Sequence, residues 1–123
     1  MEIAIFKSKR YPKGKNEGHW EKIVEHLKKR KFEVYDFPRD VDVSIVLSGL
    51  MENPAMVKGR RVMALKPQDW MSSIPPPKGL MLCESIMSKY YDEFIDLSGL
   101  NPKKSAKRII EYIDEIKEPG SQD

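Results

Sequence analysis

At 123 residues, with 40% hydrophobic and 33% charged side chains, the chain has the size and balance of one globular domain that buries a single core unaided. No apolar run approaches the roughly 18 residues of a membrane span, and the start at Met1, Glu2 and Ile3 lacks a signal-peptide pattern. The lone Cys83 excludes a disulfide framework and a cysteine-based zinc cluster, and the net charge of +3 is too small to make the whole surface a polyanion binder. A reducing, cytoplasmic setting is the expectation.

In chain order, Ile3–Phe6 is a short apolar strand that enters a basic loop over residues 7–16. Trp20, Ile23, Val24 and Leu27 then recur at i, i+3, i+4 and i+7, the apolar stripe of an amphipathic helix over 17–31. Asn16 is its expected N-cap, and Lys28–Lys31 sit where cations favour the helix dipole. Phe32–Phe37 alternates as a strand does, and Val43–Leu47 is a β-branched run suited to a strand covered on both faces. A short segment starts at Asn53 and runs through Val57, and Arg61–Leu65 is a fourth strand closed by Lys66. Four prolines within 67–78 predict a turn near Asp69–Ser72 and then an extended crossing. Gly79–Cys83 reads as a fifth strand, Ile86–Tyr91 as a short helix and Phe94–Leu97 as a last short strand. Asn101 and Pro102 open a terminal helix over 102–117, whose stripe is Ala106, Ile109, Ile110, Ile113 and Ile116. The expected fold is α/β: a single Rossmann-like three-layer sandwich over residues 1–118, with a mainly parallel sheet of five to six strands. Residues 119–123 are expected to be a disordered tail.

In open α/β sheets, ligands bind at the loops leaving the carboxyl ends of strands, often against a helix N-terminus. The first such loop concentrates Lys7, Lys9, Arg10, Lys13 and Lys15 with no acidic residue among them, and adds Gly14, Asn16, Gly18 and His19. These residues form the first candidate site, suited to a phosphate-containing or other anionic ligand, nucleic acid included. His19, in the first helical turn, is the candidate general base, because the dipole there holds an imidazole neutral. Ser48 and Gly49, and Glu84 and Ser85, follow apolar segments and are expected on the same rim, with Glu84 orienting the histidine. Each has a plainer role as well: Gly49 as a turn residue, Ser85 as a helix cap and His19 as a solvated first-turn side chain. His26 stands two turns from His19 with no cysteine or aspartate beside it, so no metal site is expected. Without a G-x-G-x-x-G fingerprint, a P-loop or an acidic pair, no cofactor is expected either.

The strand, the loop ending in Gly18 and His19, the amphipathic helix and the run Leu27–Val34 resemble the amino-terminal lobe of GT-B glycosyltransferases. The stretch from Gly79 to Lys89, followed by Phe94–Leu97, is similar to that lobe's closing strand, helix and strand. The resemblance implies an acceptor-binding lobe in which His19 deprotonates an acceptor hydroxyl. It also implies a partner, since that family binds its donor in a second domain for which 123 residues leave no room. That partner is a separate donor-binding chain, or self-association takes its place. The alternative is a non-enzymatic module that engages nucleic acid or another polyanion through residues 7–15. Whether the chain is an enzyme stays open between these two readings.

Overall fold

Strand after strand here is too apolar to face water, and the chain solves this by burying both faces of one sheet. The structure is a computed structural model and describes residues 1–7, 17–36, 39–47, 57–66 and 75–117. Five strands, β1 (Ile3–Lys7), β2 (Val34–Tyr35), β3 (Val43–Leu47), β4 (Arg60–Leu65) and β5 (Glu93–Asp96), pair in the order β2-β1-β3-β4-β5. Every pairing is parallel, with Ile5 opposite Ile45 and Ile45 opposite Val62 along the central ladder. Three helices are described: α1 (Glu17–Lys29), α2 (Pro76–Met87) and α3 (Pro102–Lys117). The result is a small Rossmann-like α/β sandwich.

Alternation along the strands sorts the core into two layers. Ile5, Ile45, Leu47, Val62, Ala64 and Ile95 face α1 and α3, whose stripes Trp20, Ile23, Val24, Leu27 and Ala106, Ile109, Ile110, Ile113 close over them. Ala4, Phe6, Val46, Met63 and Leu65 face the other way and pack with Cys83 of α2 and with Tyr91. All five residues of β3 are buried, as its β-branched run requires. Its one polar side chain, Ser44, is satisfied: Oγ donates to the Lys58 carbonyl at 2.8 Å. The α3 start follows the expected cap, since Asn101 Oδ1 accepts from the Lys104 N–H at 2.8 Å and Pro102 occupies the first helical position.

Three expectations are corrected. Pro75, Pro76 and Pro77 do not carry an extended crossing, and Gly79–Cys83 is not a strand: these residues cap α2 or lie within it. Pro75 is the N-cap, and Pro76 and Pro77 fall in the first turn, where a missing N–H costs no hydrogen bond. The Gly79 N–H makes the first turn's bond to the Pro75 carbonyl at 3.0 Å. Gly79 and Cys83 face the sheet, while Met81, Leu82 and Ile86 face outward. The short helix expected at Ile86–Tyr91 is likewise replaced by the end of α2 and a turn, with the Tyr91 N–H bonded to the Met87 carbonyl at 3.0 Å. The final strand stands as expected, shifted by one residue.

At the amino edge of the sheet the chain comes very close to itself. Gly59, at φ +70°, has the Asp42 carbonyl oxygen 2.2 Å from where a Cβ would be, so only glycine fits between β3's entry and β4's. Lys31 is also left-handed, at φ 66°, and is the non-glycine among the left-handed residues described. It closes α1 in a Schellman turn: its N–H bonds the Lys28 carbonyl at 2.9 Å, and the Phe32 N–H bonds the Leu27 carbonyl at 3.1 Å.

Candidate functional site

The strand order defines where a ligand would find a crevice. β1 sends the chain to β2 on one side, while β3, its other neighbour, leads away toward β4 and β5. The strand order therefore reverses between β1 and β3, the switch point where open sheets of this order take ligands. The described part of that rim includes Lys7 at the end of β1, the first turn of α1, Lys66 after β4, and Asp96 with Ser98 at the end of β5.

His19 stands at its centre. It is half-buried, with its ring edge-on to Trp20 at 6.3 Å and 84°. Lys66 Nζ lies 3.4 Å from Nε2 and 3.5 Å from Nδ1. Both separations are long for a hydrogen bond, so the contact is chiefly a cation set against an imidazole lone pair. Burial first, then the charges of Lys66 and Lys22, hold the His19 pKa below its usual value. The neutral ring is therefore favoured, with desolvation the leading cause.

The neighbours of this pair are already engaged. Lys7 Nζ is 2.9 Å from Glu21 Oε1, an ion pair between partly exposed groups that contributes little to stability but fixes α1 over the end of β1. Asp96 Oδ1 accepts from the Ser98 N–H at 2.9 Å and from the Ser98 hydroxyl at 2.5 Å, so this rim carboxylate closes its own turn. Gly18 is exposed, and a Cβ there would meet nothing within 4 Å. Its packing against the described residues does not demand glycine.

Glu84 and Ser85 are corrected in position. They lie in the second half of α2, with the Glu84 carbonyl accepting from the Ser88 N–H and the Ser85 carbonyl from the Ser88 hydroxyl. The chain after α2 shares a cleft of about 290 Å³ with Val57, Lys58 and Gly59, which lead into the amino end of β4. A helix between two parallel strands runs back against them, so its C-terminus belongs to the edge opposite His19. The group that the structure sets beside His19 is Lys66, which the sequence reading treated only as the end of a strand. The signal was there in its place: a lysine immediately following a parallel strand stands on the ligand-bearing rim.

Of the remaining candidates, Lys9, Arg10, Lys13, Gly14, Lys15 and Asn16, with Ser48 and Gly49, lie outside the described residues. So do the segment from Asn53 to Met56, the turn near Asp69–Ser72 and the tail after Lys117. Among the described residues, no group of three or more His, Cys, Asp or Glu side chains could hold a metal ion. None of the described helices is long and apolar enough to cross a membrane. Cys83 is fully buried, and burial raises its pKa further, so its thiol is a core group rather than a nucleophile.

The chemistry open to this arrangement follows from charge. A proton placed on His19 would create a second cation against Lys66, which is unfavourable unless an anion comes between them. An arriving phosphate would supply that anion, accept from both side chains and bring the proton with it. A general base at the same position would have to accept its proton without that help. No family model, curated protein or solved structure matches the chain at a significant level.

Proposed function

We propose that the chain is a binding domain for a phosphate-bearing ligand seated on the carboxyl rim between β1 and β3. The observation that supports it is the contact of His19 with Lys66, a cation and a proton-accepting ring held together at the mouth of α1. The helix N-terminus adds its own favourable potential for an anion, and exposed Gly18 lets the ligand approach the backbone closely. On this reading the ligand is a nucleotide, a nucleic acid phosphate or a similar anion.

Calorimetric titration with inorganic pyrophosphate and with a nucleoside diphosphate tests the proposal. Binding should weaken as salt rises, and Lys66→Glu should weaken it by about tenfold or more. Equal affinity in wild type and Lys66→Glu would refute the site.

A second reading keeps the glycosyltransferase resemblance, with His19 as the base in an acceptor-binding lobe and a partner chain supplying the donor. Its support is the half-buried, neutral imidazole beside Gly18. The placement of Glu84 on the opposite edge removes the carboxylate expected to orient that base. Transfer or hydrolysis of nucleotide sugars that disappears in His19→Ala, while pyrophosphate binding persists, would favour this reading over the first.

A further inference from the structure

The opposite corner of the molecule carries a second feature, away from the carboxyl rim. β2 is an edge strand of two residues, Val34–Tyr35, with β1 on one side and no strand on the other among the described residues. Two adjoining depressions follow this edge. One, of about 530 Å³, lies between the C-terminal ends of α1 and α3, with Ile3, Ile5 and Ile113 among its walls and Arg30, Lys31 and Lys117 at its mouth. The other, of about 500 Å³, runs along β2 itself beside Lys28, Lys31 and Phe32. The edge therefore combines backbone unpaired among the described residues, a floor that includes partly buried Ile3, and a cationic border. The carboxylate within it, Glu33, already accepts from the Tyr35 hydroxyl at 2.5 Å.

Charged residues at a short edge strand can serve simply to prevent sheets from joining edge to edge. That purpose does not account for Lys31. The residue sits at φ 66°, where glycine would close α1 without steric cost, and it borders both depressions. A strained residue whose side chain faces two cavities points to a role for that side chain. A second copy of the chain is a poor occupant, since pairing two β2 edges would set Lys28 and Lys31 against their own counterparts.

We propose that the β2 edge docks an extended acidic peptide segment of a partner protein. The peptide adds a strand outside β2, inserts an apolar side chain between α1 and α3, and sets its carboxylates against Lys28, Lys31 and Lys117. This site shares no residue with the rim at His19 and Lys66, so either can fail without the other.

The probe is a synthetic peptide of alternating glutamate and valine, titrated into the full chain by amide NMR and fluorescence anisotropy. A peptide of alternating lysine and valine and a short single-stranded oligonucleotide serve as comparisons. The acidic peptide should shift the amides of residues 32–36, and the lysine peptide should not. The Lys28→Glu, Lys31→Glu double variant should weaken binding by about tenfold or more. Both side chains are exposed, so the variant should fold, and a thermal melt checks that it does. Lys31→Gly, which relieves the backbone while removing the charge, should also bind more weakly although it is more stable. Unmoved amides at 32–36 would overturn the proposal, as would undiminished affinity in the folded double variant. Equal binding of the oligonucleotide at the same amides would also overturn it, showing a general polyanion surface in place of a strand-docking edge.

Discussion

Two side chains are held against their ordinary preferences, and each makes a prediction. Lys31 takes a left-handed conformation that costs an L-residue roughly 1–2 kcal/mol, partly offset because glycine loses more freedom on folding. Lys31→Gly should therefore raise stability by roughly 0.5–1 kcal/mol in denaturant titration, and a loss of stability would show that the lysine makes a compensating contact. His19 is held neutral by burial and by Lys66 and Lys22, so its folded pKa lies below the unfolded value of about 6.5. The sign follows from proton counting. Above that unfolded value both states are neutral and the contribution to stability is complete. As pH falls through it toward the folded pKa, the unfolded chain takes up the proton first and stability declines. His19→Gln should flatten this part of the stability–pH profile, and an unchanged slope would place the responsible group elsewhere.

At the scale of elements, α2 offers the sharpest test, because helix and strand assign its side chains differently. In a strand Met81 and Cys83 would share one face, whereas in α2 Met81 is 69% exposed and Cys83 fully buried. Met81→Lys should change stability by no more than about 0.5 kcal/mol, while Cys83→Ser, which buries a hydroxyl, should cost about 1–3 kcal/mol. Comparable losses in both would restore the strand. The sequence was legible wherever period and burial agreed. The α1 and α3 stripes are inside, and the β-branched run of Val43–Leu47 is the central strand. It was illegible at Gly79–Cys83 because Met81, Leu82 and Ile86 are apolar yet exposed, which erases the helical period. Three prolines that look like a barrier to a helix proved to be its beginning. Lys66 was missed for a different reason: its partner His19 lies 47 residues away, and only the parallel sheet brings them together.

Across the whole molecule, a net charge of +3 conceals two cationic regions at opposite ends of a parallel sheet. One is the carboxyl rim, where Lys66 stands beside His19; the other is the β2 edge bordered by Lys28, Lys31 and Lys117. The buried strands lie between them. The central claim is that the first region binds phosphate by placing it between His19 and Lys66. The imidazole resonances of His19, followed against pH with and without saturating pyrophosphate, test it most directly. The account predicts a pKa below the ordinary histidine value in the free protein and a clear rise when pyrophosphate binds, because the anion offsets the charge of Lys66. A His19 pKa unmoved by bound pyrophosphate would contradict it.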